Sequence, residues 1–202
     1  MNIKFGPAAS EWQSPFGDVA TGDWFYGDVA YVYTKGLMLG TGTDPMLFSP
    51  QAKLTRGMVV TVLYRSAGSL DVNGIADPFN DIPSGQYYTD AVKWAATNNI
   101  VSGYGNGAFG PNDNITREQL AVILYNYAVF EDKGPVGMWA VRLGFTDAGD
   151  ISDWATEGVM FCSMKGIING YPDGSFVPQG GATRAEGAAM LHRFMETVDA
   201  IK

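Results

Sequence analysis

Three arginines stand directly after threonines, at Thr55-Arg56, Thr116-Arg117 and Thr183-Arg184, and each pair leads into an apolar run. A guanidinium offers a planar fork of N–H donors that fits a carboxylate through two parallel bonds, and a helix start adds backbone N–H groups that favour negative charge. Positive charge is disfavoured at that end of a helix. Each arginine must therefore reach solvent, pair with a carboxylate, or hold an anionic ligand. Two readings stay open on the residues alone. Either Arg56, Arg117 and Arg184 recognise an anion at three related helix mouths, or they pair with Asp18, Asp81 and Asp147 and fasten neighbouring repeats with no ligand involved.

Other residue types recur in step. Trp24, Tyr87 and Trp154 are flat and partly apolar, suited to packing on a sugar ring or to anchoring a core. Gly40, Gly103 and Gly170 either bring a turn backbone close to a ligand or serve an ordinary turn. Signals of catalysis are scarce. His192 is the sole histidine, and Tyr64 and Tyr125 take its place in the other repeats, so it reads as a packing or rim residue. Asp113 and Asp173 fall in turns without the ligand series of a calcium loop, and no Cys/His zinc cluster, phosphate loop or nucleophile elbow occurs. Neither catalytic nor metal-ligating residues are assigned, and no cofactor is implied.

The elements that position these groups follow from the repetition. Phe-x-Asp occurs at Phe16/Asp18, Phe79/Asp81 and Phe145/Asp147, and Phe-x-Pro at Phe48/Pro50, Phe109/Pro111 and Phe176/Pro178. The landmarks keep one order at a period of roughly 60 to 70 residues, which implies stacked or symmetric units. Each unit reads as two helices. WFYGDVAYVYTK, YYTDAVKWAATN and WATEGVMFCSMK supply the first, and Gly36, Asn99 and Gly166 stand where it would end in left-handed geometry. The second starts at Thr-Arg with threonine as N-cap. Gln119 and Glu186 complete a capping box, whereas Met58 does not, so repeat one should have the least well-capped second helix. The joining segment of repeat one, LGTGTDPMLFSP, is longer than SGYGNGAFGP and NGYPDGSFVP, so a changed turn rim is expected there. Of the links between units, the second is expected to pack on the body through Trp139 and Val141.

Composition sets the outer bounds. The chain has 202 residues, 46% of them hydrophobic, and a formal net charge of −8. No basic stripe offsets that charge, which argues against nucleic acid as a partner. Cys162, alone in the chain and flanked by Met160, Phe161 and Met164, reads as a buried thiol. No segment reaches the roughly 20 apolar residues of a membrane span. The opening MNIKFGPAASEW shows no signal peptide, and it reads equally well as the start of an expressed fragment. The fold class expected is all-α, with three helix-loop-helix repeats in a pseudo-threefold assembly. Residues 1–202 are expected to form one compact module, with repeats at about 16–68, 79–130 and 145–199.

The ordered series of Phe-x-Asp, aromatic, helix-ending Gly, GYxxGxFxP and Thr-Arg-x-Glu resembles the surface-layer homology (SLH) family, in three tandem motifs. The third copy, FTDAGDISDWATEGVMFCSMKGIINGYPDGSFVPQGGATRAEGAAMLHRFM, is the closest match. The resemblance implies motifs arranged around a central helical bundle, with grooves between neighbours that bind an acidic, pyruvylated secondary cell-wall polysaccharide. It implies non-enzymatic, noncovalent anchoring at a bacterial cell surface, cell wall or S-layer, with other surface-layer proteins as further partners. On that resemblance Arg56, Arg117 and Arg184 contact the anion, and Asp18, Asp81 and Asp147 contact sugar hydroxyls or orient arginine. Trp24, Tyr87 and Trp154 pack on rings, and Gly40, Gly103 and Gly170 bring backbone to the ligand. The third motif is expected to be the most intact recognition set. A protein–protein scaffold is the competing reading, and a glycan-cleaving enzyme a more distant one.

Overall fold

The computed structural model describes residues 12–135 and 141–200. Each repeat forms two helices joined by a tight turn: α1 (Tyr26–Thr34) and α2 (Arg56–Ser66), α3 (Thr89–Thr97) and α4 (Arg117–Phe130), α5 (Thr156–Met164) and α6 (Arg184–Ala200). The first helix of every repeat stops as its sequence dictates. Gly36, Asn99 and Gly166 have φ of 67°, 57° and 70°. The following N–H groups, of Leu37, Ile100 and Ile167, reach back to Val32, Ala95 and Cys162. Those three residues also bury their side chains, which closes the helix end with an apolar contact.

The second helices begin at the expected residue and differ in capping as expected. Thr116 and Gln119 exchange side-chain-to-backbone bonds, as do Thr183 and Glu186. Thr55 receives a bond from the Met58 N–H without a return bond from methionine. The longer turn of repeat one folds into a small antiparallel hairpin, β1 (Gly42–Thr43) with β2 (Met46–Leu47), closed by a cis Asp44–Pro45 bond.

Just before each second helix, the three repeats meet. The Leu54 N–H donates to the Ala182 carbonyl, the Ala182 N–H to that of Ile115, and the Ile115 N–H to that of Leu54, at 2.9, 3.0 and 2.9 Å. This closed triangle places the N-termini of α2, α4 and α6 around one axis. The bodies of those helices form the centre, where Leu63, Leu124 and Leu191 are fully buried and Tyr127 packs on Phe194. The first helices lie outside, each against the second helix of the preceding repeat: α3 on α2, α5 on α4, and α1 on α6. The last of these pairings closes the ring between the two ends of the chain. His192 takes part in it as a packing residue, stacked on Tyr31 with Nδ1 2.8 Å from Asp28. Cys162 is buried, its thiol donating to the Ala121 carbonyl at 3.6 Å, and burial pushes its pKa up. Met164, near the end of α5, is exposed, whereas Phe161 and Cys162 fill the interior. Val141 is half-buried, and Trp139 lies outside the described residues.

Candidate functional site

The arginines are held by peptide groups. Arg56 Nε donates to the Phe109 carbonyl at 2.9 Å, Arg117 Nε to Phe176 at 2.7 Å and Arg184 Nε to Phe48 at 2.7 Å. Each acceptor is the phenylalanine of Phe-x-Pro in the next repeat round the ring. The guanidinium carbon also lies over that ring, at 4.5, 5.2 and 4.6 Å. All three arginines are only 5–6% exposed. Burial pulls the Arg56 and Arg184 pKa values down, while nearby Tyr104, Asp113 and Asp81, and Asp18 and Tyr87, oppose that shift.

The alternative of Arg–Asp ion pairs is not what the structure shows. Among the described residues none joins these arginines to Asp18, Asp81 or Asp147. Each aspartate instead accepts two backbone N–H bonds within its own repeat: Asp18 from Phe48 and Ser49, Asp81 from Phe109 and Gly110, Asp147 from Phe176 and Val177, all at 2.7–2.8 Å. The aspartate thus grips the N–H side of the residue whose carbonyl holds the arginine. It is linked to the arginine through that peptide and is not part of the groove linings. Burial raises the Asp147 pKa, but the bonds from Phe176 and Val177 outweigh it and leave the carboxyl below its ordinary range.

The expectation of free amides at the helix starts also fails. The Arg56 and Gly57 N–H groups donate to the Asp113 and Pro111 carbonyls, those of Arg117 and Glu118 to Gly180 and Pro178, and those of Arg184 and Ala185 to Ala52 and Pro50. With threonine taking the next N–H, these amides are consumed in joining repeats.

Three grooves result, and every one is assembled from all three repeats. Arg56 opens into a groove of about 490 Å³ walled by Ser102, Gly103 and Tyr104 of repeat two, by Gln119 and Asn126 on α4, and by Trp154 of repeat three. Arg117 shares a groove of about 380 Å³ with Gly170 and Tyr171, with Glu186 and Arg193 on α6, and with Trp24 of repeat one. Arg184 shares one of about 450 Å³ with Leu39, Gly40 and Thr41, with Met58 and Arg65 on α2, and with Tyr87 of repeat two. The third motif is therefore not one recognition set: Arg184, Gly170 and Trp154 serve three different grooves.

Trp24, Tyr87 and Trp154 are 63%, 55% and 59% exposed, which overturns a core role and places them at the groove rims. Two of them lean edge-on against a buried neighbour, Trp24 on Phe25 and Tyr87 on Tyr88. The three glycines have a packing reason. A Cβ at Gly40, Gly103 or Gly170 would come within 2.5–2.9 Å of the Leu47, Ala108 or Ser175 carbonyl oxygen and would press on Phe16, Phe79 or Phe145.

Several groove residues were missed from sequence. Arg65, Asn126 and Arg193 occupy equivalent places and each donates to a carbonyl at the preceding helix end, of Leu37, Ile100 and Ile167. Tyr104 and Tyr171 cover the guanidiniums of Arg56 and Arg117 at 4.9 and 4.5 Å, and Thr41 stands at that place in the Arg184 groove. Matching offsets from the Thr-Arg pairs and the glycines were the available signals.

The S-layer homology domain model matches residues 15–57, 78–121 and 144–188. The chain belongs to that family. One SLH match falls in each repeat, as the repeat pattern implied, and each covers the first helix and the joining turn and ends near the start of the second helix. Among its curated relatives, an amylopullulanase of Thermoanaerobacterium thermosulfurigenes is 32% identical over 94% of this chain and 10% of its own length. The cellulosome-anchoring protein of Acetivibrio thermocellus is 30% identical over 74% of this chain and 34% of its own. The surface-layer 125 kDa protein of Lysinibacillus sphaericus is 27% identical over 76% and 13%. The SLH chain thus spans about a third or less of these relatives. No helix among the described residues is long and apolar enough to cross a membrane.

Proposed function

We propose that this chain tethers a larger protein noncovalently to a bacterial cell wall by binding an acidic, pyruvylated secondary cell-wall polysaccharide in its inter-repeat grooves. One observation carries the reading: each groove sets a fixed, buried arginine against an exposed aromatic from a different repeat. A pyruvate ketal presents a carboxylate beside a sugar face, which suits a guanidinium and a ring. The grooves fall within the size range of small-molecule sites. The names of the cellulosome-anchoring and surface-layer relatives support a cell-surface location and leave room for other surface-layer proteins as partners. Three grooves on one body raise retention on a repeating polymer through effective concentration.

The reading is one of binding without turnover. Glycan cleavage commonly needs two facing carboxylates, whereas among the described residues only Glu186 contributes a carboxylate to the linings of these three grooves. The backbone triangle and the closing of α1 on α6 further support residues 1–202 as one folding unit with repeats at 16–68, 79–130 and 145–199. Coincident thermal transitions by far-UV and tryptophan signals would check that.

The decisive experiment is a pull-down on purified wall glycan before and after removal of pyruvate. Retention should be lost on removal, and should fall in a Trp24→Ala, Tyr87→Ala, Trp154→Ala triple variant, whose exposed positions spare the core. Equal retention after removal would reject pyruvate recognition. Release of reducing ends would establish catalysis instead, and concentration-dependent assembly without glycan would favour a scaffold.

A further inference from the structure

The three grooves differ at the position three residues after each capping threonine. Glu186, the Thr-Arg-x-Glu residue of repeat three, points into the Arg117 groove. Its Oε1 lies 3.3 Å from Arg117 Nη1 and accepts the Tyr171 hydroxyl. Burial raises the pKa of Glu186, but the bonds from Tyr171 and Thr183, with Arg117, bring it below the ordinary value, so it is ionised at neutral pH. The bonding of Arg117 differs accordingly from that of the other two arginines. Arg56 and Arg184 each donate through Nη2 to a second turn carbonyl, of Ser102 at 2.9 Å and Leu39 at 2.7 Å, and Arg117 makes its second bond to Glu186.

The Arg184 groove is the opposite case. Met58 replaces the carboxylate, and the Met58 sulfur, 3.9 Å from Nη1, is a weak acceptor that leaves this edge of the guanidinium available. Arg65 adds a second, half-buried guanidinium to the same lining, where the Arg56 groove has Asn126. Thr41 stands where a tyrosine lies over the other two guanidiniums, while Arg184 stays as buried as Arg56. Counting lining side chains, this groove holds two cations and no anion, the Arg56 groove one cation, and the Arg117 groove two cations with one anion already bound to the central arginine.

We propose that the chain is a graded set of anion sites rather than three equal ones: carboxylated sugar enters the Arg184 groove first, with Arg65 as a second cationic contact, and Glu186 acts as an internal competitor that holds the Arg117 groove in reserve. This rests on the glycan reading above. A carboxylate already within reach of a buried guanidinium must be displaced or desolvated by an incoming one, and repulsion between like charges adds to that cost.

The glycine amides of Gly40, Gly103 and Gly170 report on the three grooves without any substitution. The full ¹⁵N-labelled chain is titrated with a methyl hexoside carrying one pyruvate ketal, and in parallel with its methyl ester. The expected order of midpoints is Gly40 lowest and Gly170 highest, separated by about tenfold or more, the size of one modest charge interaction. Glu186→Gln reproduces the cap that Gln119 already makes in repeat two. It should lower the Gly170 midpoint about tenfold and leave the other two unchanged, whereas Arg65→Gln should raise only that of Gly40. Dispersion of the remaining amides verifies that both variants fold. Equal midpoints, or Gly170 moving first, would overturn the grading while leaving acidic-sugar binding intact. If no amide moves, or acid and ester act alike, the glycan reading itself fails and the grading with it.

Discussion

At the hub, Leu54, Ile115 and Ala182 exchange the same backbone bond three times at nearly one length, although their side chains differ in size and shape. At the groove rims, equivalent positions hold Met58, Gln119 and Glu186, or Thr41, Tyr104 and Tyr171, and the interactions differ with them. The hub is made of peptide groups, which every residue supplies, so sequence divergence leaves it intact. The grooves are made of side chains, so each substitution changes what a groove attracts. The arginines stand between these regimes. Their Nε bonds to peptide carbonyls are the same in all three copies, while the partners of their outer nitrogens vary.

That division is testable by removing parts from each side of it. Arg56→Ala should be the most damaging, because it leaves the carbonyl of buried Phe109 and that of Ser102 without their arginine partner and empties the slot over Phe109. A loss of about 2–4 kcal/mol in urea denaturation is expected. A cost below about 1 kcal/mol would show that the arginine serves the groove alone. Arginine truncation is for that reason a poor probe of ligand binding.

Asp81→Ala removes the acceptor for the Phe109 and Gly110 N–H groups and should cost roughly 1–2 kcal/mol. Because Phe109 holds Arg56, its effect with Arg56→Ala should be less than additive. Strict additivity in the double-mutant cycle would break the inferred relay from aspartate through peptide to arginine.

Val177 sharpens the comparison from the rim. It has φ of 55°, costly for a β-branched residue, where repeat two has Gly110 at 71° and repeat one Ser49 at 56°. Val177→Gly should stabilise the protein by up to about 1 kcal/mol in thermal melting. Destabilisation would mean that Val177, packed over Gly180, contributes more by contact than its backbone costs.

The smallest expected effect is on the acid limb of stability. The pKa values of Glu186 and Asp147 are depressed in the folded protein, from ordinary values of 4.5 and 3.8. Their contribution is complete above those values and is lost as pH falls through the lower, folded ones. Glu186→Gln should flatten the fall in stability in that window, because it removes the same small contribution at pH 7. An unchanged acid limb would show that the bonds of Glu186 to Tyr171 and Thr183, with its Arg117 pair, are too weakly formed to matter.

What the sequence determined by itself is local. Helix ends at Gly36, Asn99 and Gly166, caps at the three threonines, the missing capping partner at Met58 and the enlarged first turn all depend on residues a few positions apart, whose geometry the chain imposes directly. The choice between partners was not local. Asp18 and Arg184 are joined through Phe48, and that connection runs through a backbone N–H and carbonyl that carry no mark in the residue types. Nor does any motif reveal that its arginine, turn and aromatic face three separate grooves. Only the ring, closed where α1 packs on α6, decides which repeat supplies each wall, because that depends on the order of the units around the axis and on burial summed over all three.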